Sequence, residues 1–496
     1  MKRFLLVLLA VAAVVPLLAA PAPAAEFKFG GMWYQKYYYS NNLKDGTDDI
    51  NDNTRAFYMR MRLYFNAIAS ENLMAVCKVE LDDVWGQGRI GRISTDGGSN
   101  LRNDNPTDTT GSANSGFEIK NAYVQFNVPN TPLTFQVGEL PILLGYGLAF
   151  NDDTNGIVAI GKFDPVKVTL AYSRLNDNTG TLSTDAGNVN TIMTGPMQAR
   201  SRATIYTSND NLDLWAADLR IAPTKELALG LTGTYVHQNP HETVAVGGVD
   251  FLDQNVDLNL YNVVLDADYK TDLFAAYFTG GKNFGDISIS GSSANFEGYL
   301  LSLGGTVNVK PVVVGVDFYY TSGQKINSEG AFHGKNFEDY VTPGRDGRFT
   351  NMIDEVVFPG MFDDDSPLTV SDLPTHANAT NLRGTGITAT NTEYTPVNIW
   401  AIGAHVDVKP LDQTLIQVGG AYMQYVEDVI AKVNPDGSVK LDDKLGTSLY
   451  IRLTQGIVEN LQLKAAFGYL FADDGYAPVS NDDNAYKFAT GLFWSW

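Results

Sequence analysis

The chain has 496 residues, 44% of them hydrophobic, with a formal net charge of -21 and a mean hydropathy of -0.12. The acidic balance excludes the basic surface that nucleic-acid phosphates require, and beyond the N-terminal leader no apolar run approaches the roughly 18 residues of a spanning helix. The single cysteine, Cys77, excludes an intramolecular disulfide, a thiolate metal cluster and a lipid-bearing N-terminal cysteine.

What remains is a strand-and-turn composition, with 47 glycines, 25 tyrosines and 25 phenylalanines. At the N-terminus, Lys2 and Arg3 precede an apolar run from Phe4 to Ala20 and the small-residue stretch APAPAAE. This is the pattern of a secretory signal peptide, 1–24, cleaved after Ala24. No linker or shift in composition divides 25–496, which is expected to be a single domain.

Residues 55–82 set the pattern for everything after them. Phe57, Met59, Met61, Leu63, Phe65 and Ala67 alternate with Tyr58, Arg60, Arg62, Tyr64 and Asn66. After a Ser70-Glu71-Asn72 turn, Leu73, Ala75, Cys77, Val79 and Leu81 alternate with Lys78, Glu80 and Asp82. Strand side chains point to opposite faces in turn, so one face is apolar and the other charged. Pairing Ala69 with Leu73 places Arg62 opposite Glu80 and Arg60 opposite Asp82, pairs that favour this register. If solvated, each contributes roughly 0–1 kcal/mol.

The same hairpin recurs down the chain, with prolines marking the tight turns: Pro129, Pro132, Pro165, Pro223, Pro311 and Pro410. Eighteen strands are predicted, near 26–39, 55–69, 73–86, 116–128, 133–141, 154–162, 165–175, 212–222 and 226–237 in the first half. The second half adds 256–270, 273–284, 296–310, 312–321, 396–409, 414–427, 446–456, 461–472 and 484–496. The strand at 273–284 is apolar on both faces and its orientation stays open. Tight turns close one end, while long polar loops fall at the other: 40–54, 87–115, 176–211, 238–255, 322–395 and 428–445. An even strand count with short turns at one rim and long loops at the other predicts an all-β, antiparallel, up-and-down transmembrane barrel.

The chain ends FATGLFWSW, whose bulky face carries Phe488, Thr490, Leu492, Trp494 and Trp496. A final strand with that face turned to lipid, and tryptophans in an interfacial girdle, closes the barrel. With Tyr486, Phe488, Leu492, Trp494 and Trp496 in alternation, the chain resembles the bacterial outer-membrane porins. That resemblance implies location in the outer membrane of a Gram-negative bacterium, with outer-membrane lipid, small solutes and the barrel-assembly machinery as partners. It implies that the last strand is read as an assembly signal. It leaves open whether copies of the chain associate. The FYMRMRLYF hairpin, with Arg60 and Arg62, is also similar to the 18-stranded alginate-export-like porins, although an acidic chain suits a polyanion pathway poorly.

A barrel of this size is too wide for side chains to fill, so a water-filled channel for passive, at most weakly selective diffusion is the expected function. The interior face is predicted to carry Arg60, Arg62, Lys78, Lys167, Arg220, Lys270, Arg452, Lys464 and Lys487. Against them stand Glu80, Asp82, Asp218, Asp266, Asp268, Asp317 and Asp407, a near-balanced wall. The acidic excess then lies in loops such as Asp363-Asp364-Asp365, an outer vestibule that would enrich cations. Loop 322–395, with the apolar patch Val356, Val357, Phe358, Met361 and Phe362, is expected to plug or cover the lumen. The segment 142–153 is a second candidate for narrowing it.

Other chemistry finds little support. No nucleophile motif, P-loop or dinucleotide fingerprint appears in a fitting context, and no enzyme is expected. His405 is placed on the lumen face, where it lines water. His237 and His241 stand four apart in an expected loop, without helical zinc geometry. The segments 45–53 (DGTDDINDN) and 151–156 (NDDTNG) offer oxygen ligands for calcium but lack the spacing of a calcium loop, so solvated turns fit better and no cofactor is expected. Two alternatives to a general pore stand. One is a substrate-specific transporter for a sugar, organic acid or hydrophobic compound, with Tyr58, Tyr64, Tyr319 and Phe493 as an aromatic slide. The other is a barrel scaffold for a partner in export or electron transfer.

Overall fold

The structure, a computed structural model, describes residues 25–41, 54–84, 116–176, 212–238, 256–289, 292–325, 336–341, 398–433, 439–473 and 484–496. The expected signal peptide lies outside them. The strands are β1 (Glu26–Asn41), β2 (Thr54–Ser70), β3 (Leu73–Val84), β4 (Gly116–Asn127), β5 (Leu133–Leu144) and β6 (Phe150–Phe163). They continue with β7 (Val166–Asn176), β8 (Leu212–Ile221), β9 (Leu227–Gln238), β10 (Val256–Lys270), β11 (Phe274–Ile289), β12 (Ser292–Asn295) and β13 (Tyr299–Val309). The set ends with β14 (Val312–Thr321), β15 (Ile399–Leu411), β16 (Thr414–Val433), β17 (Val439–Val458), β18 (Leu461–Ala472) and β19 (Ala485–Ser495).

Each strand pairs antiparallel with its neighbours in sequence, and β1 pairs with β19, so the sheet closes. The four-residue β12 lies along the end of β11, which pairs directly with β13; the other eighteen strands form the circuit. Closure extends to the last residue, because the Gly31 N–H donates to the Trp496 carbonyl and the Trp496 N–H to the Gly31 carbonyl, both at 3.1 Å. Gly31 is needed there, since an added Cβ would sit against the Trp496 ring.

The outer surface is that of a barrel in lipid. Along β10, Tyr261, Val263, Leu265 and Tyr269 are exposed, while Leu258, Leu260, Asn262, Val264 and Asp266 point inward and are buried. A soluble monomer does not expose a continuous apolar belt of this extent. Cross-strand aromatic pairs bound the belt near the long loops, including Tyr37–Phe57 (4.8 Å), Tyr172–Trp215 (4.5 Å) and Tyr235–Tyr261 (4.5 Å between centroids). Near the tight turns the bounding pairs include Phe29–Phe65 (5.7 Å), Tyr269–Phe274 (6.3 Å) and Trp494–Trp496 (4.5 Å). Tyr261 to Tyr269 spans about 26 Å along the strand and about 20 Å along the axis at a tilt of about 40°, close to the ~25 Å band of such barrels.

The expected strands recur with the expected facing, and 273–284 is now oriented: Phe274, Phe278 and Phe284 face out, Thr279 and Asn283 in. Four local expectations are corrected. The loop expected at 428–445 is mostly strand, because β16 and β17 run on as a bulged two-stranded ribbon beyond their outer neighbours. The connection expected at 142–153 is only 145–149, since β5 extends to Leu144 and β6 begins at Phe150, and 151–156 is strand rather than turn. His237 belongs to β9, where its ring stacks on Tyr235. Pro410 sits at the end of β15, beside a register shift, rather than in the turn.

The two faces respond differently to charge. Val263→Arg, in the middle of the belt, is expected to destabilise the liposome-refolded barrel by about 2–4 kcal/mol in urea titration. Thr306→Lys, on the interior face of β13, changes it by about 0.5 kcal/mol or less.

Candidate functional site

The interior is divided by the upper part of the β5–β6 hairpin. Pairing of β4 with β5 stops at Ala122↔Glu139, and pairing of β6 with β7 stops at Asn155↔Arg174. Above that level, residues 140–154 pair only with each other among the described residues. At the point of departure Gly138 faces Gly156 across the hairpin. A Cβ at Gly138 would run into the Ala122 carbonyl and one at Gly156 into the Tyr172 carbonyl, so the sharp turn off the wall needs both glycines. Gly138, at φ 135°, also holds a backbone that side-chain-bearing residues rarely adopt.

The hairpin folds inward as an arm. Its tip, around the short 3-10 turn Gly145–Gly147, reaches the inner faces of β9 and β10. Tyr146 donates its hydroxyl to Asp268, and the Asn262 side-chain amide donates to the Leu148 carbonyl at 3.4 Å. One face of the arm, Leu140, Ile142, Leu144 and Phe150, is buried with Leu214, Val236, Leu260 and Val264 in a single apolar cluster. Burial of those four side chains alone is worth on the order of 6–12 kcal/mol, so the arm is a fixed partition. Thr154 ties its base to Ser173 of β7, with 2.5 Å between hydroxyl oxygens.

The other face of the arm looks toward β2–β4. Asp153 accepts from the Asn121 side-chain amide at 2.7 Å and pairs with Lys120 at 3.2 Å. Lys120 also lies 3.9 Å from Glu80, which is buried and holds Arg60 at 3.1 Å and Arg62 at shorter range. The expected register, Arg62↔Glu80 and Arg60↔Asp82, is observed, while the Asp82 side chain lies outside the described residues. Both arginines converge on Glu80, and the pairing is buried, so the estimate for a solvated pair does not apply. Its contribution is therefore not the small one of a surface pair: the charges have been desolvated, and removing one leaves the others uncompensated.

The remaining interior positions complete the division. Lys36 is buried between the rings of Tyr34 and Tyr58, 5.5 and 4.9 Å from their centroids, and Lys464 lies 4.4 Å over Phe493. Lys487 and Arg452 are buried on β19 and β17. Lys78 shares this side and lies 5.7 Å over the Tyr64 ring. The acids collect elsewhere: Asp218 and Asp266 hold Arg220 on β8–β10, and Asp317 of β14 pairs with His405 at 3.4 Å. Asp407 accepts from the Gln417 side-chain amide at 3.3 Å. Lys167 and Lys270 are exposed at the short-turn rim. Among the described side chains the two signs are segregated along the wall, cations on β17–β19 and β1–β4, acids mainly on β8–β10, β14 and β15.

The two halves of the interior also differ in polarity. Toward the long loops, the inner faces from β8 to β18 are buried, with Leu214, Leu258, Ile399, Met423, Tyr425 and Leu470 in the cluster that holds the arm and neutral polar groups such as Thr234, Asn262, Asn283 and Ser448 on the same faces. The exception is the side of β19 and β1–β3, where Lys487, Lys36, Arg60 and Glu80 stand at comparable depth. The lumen expected to hold water is therefore packed on the β8–β18 side. Of the expected aromatic slide, Tyr58 and Phe493 flank Tyr34, with Tyr34 and Phe493 stacked at 5.2 Å, whereas Tyr319 is buried in the apolar half. From the long loop, residues 336–341 enter the interior, where Tyr340 and Val341 join the cluster. The patch from Val356 to Phe362, the Asp363–Asp365 run, segment 45–53 and His241 lie outside the described residues.

No protein-family model and no curated protein matches this sequence. Among solved structures, the chain is similar to a BenF-like porin from Pseudomonas fluorescens Pf-5, at 10% identity over 95% of this chain and 98% of that one, TM-score 0.52. It is also similar to OccAB1 of Acinetobacter baumannii, at 10% identity over 95% and 96%, TM-score 0.51. A third is OccK9 (OpdG) of Pseudomonas aeruginosa, at 10% identity over 95% and 98%, TM-score 0.50. At such identities the likeness is one of fold: a closed antiparallel barrel of the architecture of outer-membrane porins.

The buried carboxylate organises the cationic side. Glu80→Gln is expected to lower barrel stability by about 3–5 kcal/mol, because Arg60 and Arg62 keep their charges without the anion between them. Urea titration in liposomes measures it.

Proposed function

We propose that the chain is an outer-membrane channel through which small hydrophilic solutes diffuse passively, along the side of the barrel formed by β19 and β1–β4. The observation that supports this is the division of the interior. An apolar, packed surface offers no path to a hydrated solute, whereas charged groups on the facing wall substitute for part of its hydration. The arm sets the narrow point, with Asp153 and Lys120 joined across it and Arg62 and Lys78 on the wall.

The charge on that route favours anions. Among the described side chains, Arg62, Lys78 and Lys120 face it with Asp153 against them, while Lys36, Arg60, Glu80 and Lys487 are buried in the wall behind. Charges at a constriction act on a passing ion within the screening length of about 8 Å in physiological salt. The expected cation-enriching vestibule rests on acids outside the described residues, and the preference proposed here is set at the constriction.

Planar-bilayer recordings test it. In a KCl gradient the reversal potential is expected to show anion preference, and Arg62→Gln with Lys120→Gln is expected to reduce it. Replacing 142–152 with a two-residue turn is expected to raise single-channel conductance by about twofold or more as the constriction is removed. Cation preference in the unaltered protein would contradict the route, and absence of conductance would contradict the channel.

A further inference from the structure

Residues 336–341 dock inside the barrel almost entirely through neutral groups. The Phe337 N–H donates to the Asn295 carbonyl and the Glu297 N–H to the Phe337 carbonyl, each at 2.8 Å. The Tyr340 hydroxyl lies 2.9 Å from the Leu148 carbonyl oxygen at the tip of the arm and 2.8 Å from the Asn262 side-chain oxygen. The Val341 N–H donates to Asn283 at 2.7 Å, and its carbonyl accepts from Asn262 at 3.2 Å and Asn283 at 2.9 Å. Two inward-facing asparagines thus read the backbone of one short segment.

The exception is Asp339, which is 5% exposed. Its Oδ1 accepts the Gln324 N–H at 2.9 Å, and among the described residues no cation lies within ion-pair distance of it. The charged groups around this corner do not compensate it. Glu338, next in the chain, accepts the Lys325 N–H at 3.4 Å. Lys325 directs its ammonium to Glu427 at 3.9 Å. Glu297 is held by the Asn336 amide at 2.6 Å, and Lys282 donates to the Glu297 carbonyl. An acid side chain enclosed with one N–H donor and acidic neighbours is stable there when protonated and strained when charged.

We propose that 336–341 is a pH-responsive plug, docked inside the barrel while Asp339 is protonated and released as Asp339 ionises. The proposal rests on the channel reading and adds regulation to it. Burial pushes the Asp339 carboxyl up to about 7, with the Glu338 charge adding to the rise and the Gln324 N–H opposing it. A released, hydrated aspartate titrates near 3.9. Between those values the docked form binds one more proton than the released form. Docking is therefore strongest at acid pH, weakens up to tenfold per unit as pH rises toward about 7, and changes no further above it. Because Tyr340 braces Leu148, release also frees the tip of the arm from one contact.

The test is occupancy of the high-conductance level in planar bilayers from pH 5 to 8. In the unaltered protein it is expected to rise up to pH 7 and then flatten. Asp339→Asn keeps the acceptor for Gln324 without the charge, and is expected to hold the acid-side occupancy at every pH. A flat profile in the unaltered protein, or the same profile in Asp339→Asn, would overturn the plug. If the variant fails to assemble, hydrogen exchange of the 337–341 amides in the unaltered protein decides. Protection corrected for intrinsic exchange should fall toward pH 7, and constant protection overturns the proposal. Absence of conductance at any pH would count against the channel alone, and the exchange measurement would still test the plug.

Discussion

The structure depends on a single constraint: inside hydrocarbon, every backbone N–H and C=O must find its partner within the protein. A sheet meets that requirement only by closing. That is why β1 and β19 pair from Met32↔Ser495 to Asn41↔Tyr486, and why the chain stays ordered to its last tryptophan. The same constraint locates the arm. Its departure from the wall, at Glu139, Asn155 and Arg174, lies just beyond the Tyr172–Trp215 pair, where the outward residues turn polar and water can satisfy an open edge.

Closing eighteen strands creates a second problem, because the interior is wider than facing side chains can fill. The chain fills part of it with its own backbone. Two strands that would otherwise complete the wall turn inward, bring Leu140, Ile142, Leu144 and Phe150 onto the far side, and make a core where a simple barrel would hold water. Residues 336–341 extend that core, with Tyr340 touching both the arm and β10. The barrel is consequently a wall with an eccentric filling, and permeability is confined to what the filling leaves.

The wall was legible in the sequence because lipid on one side and a polar interior on the other impose period two on each strand. The 55–82 hairpin shows this best, its register readable from Arg62 and Glu80 alone. The terminal Trp494 and Trp496 were readable for the same reason. The arm was not, because Leu140 and Ile142 alternate with Pro141 and Leu143 whether the strand stays in the wall or leaves it. Its one signal is Gly138 and Gly156, which become a pair only once the register is known. Lys120 escaped notice because a bulge between Lys78 and Val79 shifts the alternation of β4 beside it. Asp153 escaped because folding the arm turns its lipid-side face to the interior.

Charge segregation follows from the same geometry. Once the arm and the inner strand faces from β8 to β18 have formed an apolar cluster, an ionised side chain on that side must be held by a partner or lie below the cluster. Arg220 with Asp218 and Asp266, and His405 with Asp317, meet that condition. On β19 and β1–β4 the apolar cluster does not cover the wall, and there Arg62, Lys78 and Lys120 keep part of their surface open. A charge left partly open is solvated by water, whereas one taken into a dry site needs a partner of opposite sign, as Arg60 has in Glu80. It is this partial exposure of charged groups on one side of the arm, and the packed cluster on the other, that sets the two halves of the interior apart.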